Sequence, residues 1–115
     1  MSIPPEIAAF VDRLNQEFDE TEQEATEGVN LVRPLLSRFS GNVRLIQFFT
    51  FFNNALLFVE ISRRRIQAIV ERVSARDVTA EEIQEAGEDL VTLLDRVLEV
   101  KMSGGRLLDI LEELR

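Results

Sequence analysis

Few residue types in this chain can do chemistry, and most of those that do best are missing. There is no His, Cys, Tyr or Trp. That removes the usual general base, the soft metal ligands, the thiol nucleophile and the preferred base-stacking groups. Glu82, Glu85 and Asp89 remain as a carboxylate row at steps of three and four, the spacing of one helix edge, and could hold a hard cation loosely. The same spacing describes a solvated acidic face, which is the reading preferred here. Di-iron bundles need Glu-x-x-His pairs, and none can exist in this chain. Gly104 and Gly105 lack the flanks of a phosphate loop and read as a helix stop with a hinge. No catalytic residue, metal site or cofactor is expected, and the chain reads as non-enzymatic.

Two further groups invite a functional reading. Arg63, Arg64 and Arg65 could form a phosphate patch, but three consecutive helical residues point in three directions. Asn53 and Asn54 lie side by side within Val43 to Ile61, VRLIQFFTFFNNALLFVEI, where thirteen of nineteen residues are apolar. Amides hidden from water there would both need partners. What either group does depends on the elements that carry it.

The periodicity predicts an all-α antiparallel up-down bundle of three long helices plus a short C-terminal helix, over about 4–39, 42–73, 79–102 and 106–114. In the first helix Ile7, Val11, Leu14, Phe18, Thr21, Ala25, Gly28, Val32, Leu35 and Phe39 follow at alternating steps of four and three, a sustained heptad seam. Pro4 and Pro5 suit its first turn. Pro34 falls on the opposite face and predicts a kink, with a break between Gly28 and Pro34 as the alternative. Ser40, Gly41 and Asn42 form so short a link that the second helix must fold back.

The second helix carries a main apolar arc running from Leu45 through the five phenylalanines to Val73, and is expected to be the central one. A narrower stripe lies opposite the arc, Ile46, Thr50, Leu57 and Ile61, with Asn53 and Asn54 on its flanks. Thr79 and Glu82 make a capping box for the third helix. Its apolar face is Ile83, Ala86, Leu90, Leu93, Leu94, Val97, Leu98 and Val100. The segment RLLDILEELR must dock to persist as a helix, and Leu107, Leu108, Leu111 and Leu114 are the candidate surface for a partner or for its own bundle.

Folding back about Gly41 sets Glu17, Asp19 and Glu20 level with Arg63, Arg64 and Arg65, and a fold about Arg76 brings Glu88 and Asp89 to the same arginines. These eight residues are expected to form structural ion pairs. The same arithmetic puts Asn53 and Asn54 near Gly28 and Leu98, where they would set helix register; exposed amides on an outer face are the alternative.

The net charge of −8 and pI near 4.6 argue against direct nucleic-acid binding through bulk electrostatics. The start of the chain has neither a basic nor an apolar signal region, and cysteine is absent, so a soluble cytoplasmic protein is expected. Asparagines at the centre of the apolar stretch make it a poor membrane span.

The leading expectation is a helical interaction or assembly protein, a scaffold, adaptor or chaperone-like partner. It would act as a homodimer through Ile46, Thr50, Asn53, Asn54, Leu57 and Ile61, the two copies forming a larger bundle, and would bind an unknown protein partner. The alternatives are a carrier or sensor of a small hydrophobic ligand with a Phe-lined pocket near the asparagines, and a helical spacer or oligomerisation subunit of a larger complex.

Overall fold

Three helices, α1 (Pro5–Arg38), α2 (Val43–Val73) and α3 (Ala80–Leu114), account for nearly all of the protein. The structure, a computed structural model, describes residues 3–114. The helices pack side by side into a rod of 58 × 18 × 17 Å with a radius of gyration of 17.5 Å. A compact domain of this length would have a radius near 13 Å, about three-quarters of that value. The elongation follows from using three long helices, each about as long as the molecule, instead of several short ones.

Every helix buries one seam, and all three seams alternate steps of three and four. On α1 the buried positions are Ile7, Val11, Leu14, Phe18, Thr21, Ala25, Gly28 and Val32, with Val29 beside them. On α2 they are Leu45, Phe48, Phe52, Ala55, Val59, Ser62, Ile66, Ile69 and Val73. On α3, Ala86, Leu90, Leu93, Val97, Gly104 and Leu111 are buried, and half-buried Val100 and Leu107 occupy the missing steps. A period of 3.5 keeps each seam turned toward its neighbours along the whole rod, the geometry of left-handed coiled-coil packing. Phe18 and Phe52 are fully buried, each contributing about 1.5–3 kcal/mol.

The ends of the helices have local causes. Pro5 stands at the start of α1 without requiring an amide partner. The Asn42 side chain accepts a hydrogen bond from the Leu45 amide at 3.0 Å and so caps α2. The Thr79 hydroxyl accepts from the Glu82 amide at 3.1 Å and donates to the Glu82 carboxylate, which starts α3. Pro34 sits inside α1 on an exposed face, and the helix continues through it. The carbonyl that its missing amide leaves free belongs to exposed Asn30, where water can serve it.

Two expectations are corrected. There is no separate short C-terminal helix, because α3 runs unbroken through Gly104 and Gly105. Each interior glycine costs about 1 kcal/mol relative to alanine. That is too little to break a helix held on one side by Val97 and on the other by Leu111, both fully buried. Nor is α2 the central helix: α1 packs extensively on both of the others, whereas α2 and α3 touch each other much less. The small residues of α1, Thr21, Ala25 and Gly28, are what let both neighbours come close.

Candidate functional site

On α2, Phe52 sits at the middle of the buried seam, and this turns the two asparagines that follow it outward. Phe52 occupies the space beside Gly28 that an amide was expected to fill: a Cβ on Gly28 would lie 2.5 Å from the ring. Asn53 and Asn54 are exposed and do not set the register within the chain. The Asn53 Nδ2 donates to the Phe49 carbonyl one turn back, at 3.0 Å. Among the described residues nothing bonds the Asn53 side-chain oxygen or the Asn54 side-chain amide.

Between the asparagines runs the stripe that has no cover. Ile46, Leu57 and Ile61 are 44, 53 and 54% exposed, and Thr50 between them is exposed too. Successive members are three to four residues apart, or fall within one narrow arc of the helix, so they form one continuous surface. From Leu45 to Val59 no residue carries a charge. Arg64 continues the stripe one turn beyond Ile61 and is held by Glu60 of its own helix at 2.8 Å.

By length and composition α2 is also the one helix, among the described residues, apolar enough to cross a membrane; about a third of that apolar window is buried inside the bundle.

The charges around the rod mostly tie its helices together. Arg63 bridges from α2 to α1, donating to Asp19 and to Glu22 at 2.6 Å each, and both carboxylates, Glu22 foremost, push its pKa up. Glu17 and Glu20 do not reach the arginines. They take Lys101 of α3 at 2.9 and 2.8 Å, and those two hydrogen bonds, that of Glu20 first, raise the lysine's pKa. Asp89 meets Arg72 at 3.6 Å, well along α2 from Arg63. Glu88 accepts from Gln84 on its own helix at 3.5 Å. Arg65 is exposed, with no carboxylate against it among the described residues. The level-residue arithmetic fails for α3 because its connection to α2 takes six residues, Ser74 to Thr79, and need not fold sharply about Arg76.

Glu24 was not singled out by its sequence, yet its carboxylate packs against the glycine pair of α3. Its carboxylate lies in the notch left by Gly104 and Gly105, where Oε1 occupies the place of a Gly104 Cβ and Oε2 lies 3.7 Å from that of Gly105. Burial there pushes the Glu24 carboxyl up from its ordinary range; Lys101 pulls it down, and Glu27 and Asp109 add to the rise. The glycine pair is thus a close-approach surface rather than a hinge. Leu111 beyond it is fully buried and Leu107 and Leu108 are half-buried, so only Leu114 of the expected docking face is free.

Neither Asn53 nor Asn54 lines any of the three best-formed clefts among the described residues. A cleft of about 340 Å³ lies at the end of the rod beneath the α1–α2 turn, lined by Leu35, Phe39, Arg44, Leu45, Phe48 and Ile110. Of the carboxylate row on α3, Glu82 is engaged with Thr79 and Asp89 with Arg72, and no three metal-ligating side chains converge among the described residues. Comparison with protein-family models, curated proteins and solved structures returned no match, so function rests on the chain's own geometry.

Proposed function

We propose that this chain is a non-enzymatic helical assembly protein of the cytoplasm that acts as a homodimer, with the outer stripe of α2 as its contact surface. The observation that carries this reading is the exposure of Ile46, Leu57 and Ile61 along one uncharged face. Scattered apolar residues on a surface need no explanation, but a row bordered by polar groups marks a place where something docks. A second copy is the partner this surface suits best. The chain carries a net charge of −8, and its acids crowd α1 and α3, so two copies repel through those faces. The middle of α2, from Leu45 to Val59, carries no charge and so gives two copies a face on which to meet.

The test is molar mass in solution. Light scattering should give about twice the 13.2 kDa of the chain. Leu57→Lys should raise the dissociation constant roughly a hundredfold, the effect of about 3 kcal/mol lost on placing a charge in an apolar contact. A monomer at every concentration, or a variant with unchanged mass, removes the reading.

A second reading, a carrier of a small hydrophobic ligand, draws support from the cleft under the α1–α2 turn, whose volume is at the lower end of ligand sites. Native mass spectrometry of the protein purified from its source would show a bound small molecule. Phe48→Ala should release it.

A further inference from the structure

We infer that the two copies meet through α2 in antiparallel order, about a two-fold axis that passes between Asn53 and Asn54. This rests on the homodimer reading above and adds the orientation and the role of the asparagines.

The stripe is nearly symmetric about its own middle. Ile46 and Ile61 stand equally far from the Asn53–Asn54 pair, and so do Thr50 and Leu57. When two antiparallel helices meet at that midpoint, Ile46 of one copy lies level with Ile61 of the other, and Thr50 with Leu57. The apolar stripe then covers its own image from end to end, as an isologous contact requires.

Charge decides between this and the parallel arrangement, in which each residue would face itself. Arg64 continues the stripe. In parallel order it would confront Arg64 of the second copy across the seam, each held only by the Glu60 of its own helix, with Arg65 of both copies, which has no carboxylate against it among the described residues, at the same level. In antiparallel order Arg64 comes level with Val43 and Arg63 with Arg44, which lies over the Phe48 ring and off the stripe, and the Arg63–Arg65 clusters of the two copies stand about 30 Å apart at 1.5 Å per residue. That is several Debye lengths at physiological salt.

The two-fold also gives the asparagines partners. They lie on opposite flanks of the stripe, so Asn53 meets Asn53 of the second copy on one side of the axis, and Asn54 meets Asn54 on the other. A side-chain amide both donates and accepts, so it can pair with its own image. The bond from Asn53 Nδ2 to Phe49 uses one of its two N–H groups and holds the side chain, leaving the other N–H and the oxygen for the second copy. Polar pairs at the centre of an apolar contact penalise any other alignment, which is how a single asparagine sets register in coiled coils.

The natural absence of cysteine makes the orientation testable by single-cysteine cross-linking. Chains carrying Asn53→Cys, Ile61→Cys or Ile46→Cys are oxidised with diamide, which takes up the two thiol hydrogens as the disulfide forms, and read on a non-reducing gel. All three positions are exposed, so the fold should tolerate them. Antiparallel order predicts that Asn53→Cys links to itself. Ile61→Cys should not, because its own image lies about 22 Å away along the axis, beyond the 4.4–6.8 Å between Cα atoms that a disulfide spans. It should link when mixed with Ile46→Cys. Self-linking of Ile61→Cys and of Ile46→Cys overturns the antiparallel order while leaving the homodimer intact. A dimer by light scattering with none of these links overturns the α2 contact, and a monomer throughout overturns the homodimer reading as well.

Discussion

Gly28→Ala should destabilise the protein, although alanine is the better helix former. In a helix interior the change is worth about 1 kcal/mol in favour of alanine. Here the new methyl would meet three atoms of the Phe52 ring at 2.5–2.6 Å, against an ordinary carbon–carbon separation of about 3.5–4.0 Å. The ring has nowhere to go, being fully buried and set edge-on to Phe51 with centroids 5.6 Å apart. A displacement of about 1 Å in a packed core falls at the upper end of overpacking costs, about 3 kcal/mol. After the propensity gain the net loss is about 2 kcal/mol, or a fall in Tm of about 8 °C for a domain of this size. The assay is urea unfolding followed by circular dichroism, at one protein concentration because self-association shifts apparent stability. Repeating the substitution in a Phe52→Leu background isolates the contact: without the ring the alanine should cost far less or become stabilising, a coupling of about 2 kcal/mol. A Gly28→Ala chain more stable than the parent, or an effect unchanged by Phe52→Leu, would show that the glycine is not there to admit the ring.

Gly105→Ala should act in the opposite sense, stabilising by about 0.8–1 kcal/mol in the same unfolding assay, because a Cβ there meets only the Glu24 Oε2 at ordinary distance; a loss of stability would restore the hinge. Glu24→Gln should raise the Tm at pH 7. Burial holds the folded Glu24 pKa above its usual 4.5, so the ionised carboxyl opposes folding at neutral pH, and stability is regained as pH falls through the folded pKa toward 4.5. The gain from glutamine should therefore vanish below about pH 4 on a Tm-against-pH profile, and a gain that persists there would exclude titration of Glu24 as its source. Lys101→Met should cost about 1 kcal/mol by removing the tie between α3 and Glu17 and Glu20. Since the folded lysine pKa is raised, the parent should lose this increment only above about pH 10, where the unfolded lysine also begins to titrate; equal pH dependence of the two proteins would rule it out.

The helices and their buried faces are largely legible in the order of residues. The α1 seam from Ile7 to Val32 and the α2 arc from Leu45 to Val73 follow from periodicity, because burial of a long helix requires apolar side chains at repeating steps. The Asn42 and Thr79 caps are readable because they satisfy amides two or three residues away. The exposed stripe on α2 was readable for the same reason, as a second period on a helix that has only one buried side.

Relations between helices were not readable in this way. Gly104 and Gly105 carry the local signature of a helix stop, and nothing near them in the chain reveals the Glu24 carboxylate that fills their notch. Glu17 and Glu20 could face Arg63 or Lys101 with equal local plausibility; the pairing depends on how α3 is placed along α1, which a six-residue connection leaves open. Asn53 and Asn54 could face Gly28 only if α2 were rotated to take Phe52 out of the core. Hydrophobic burial is large for Phe52 and small for an amide, so the ring takes the inside position and the asparagines the outside one. Local periodicity thus specifies three amphipathic helices, each with its own buried side. Their rotation and placement against one another come from which side chains fill the shared space best, and that competition is settled only when all three are packed together.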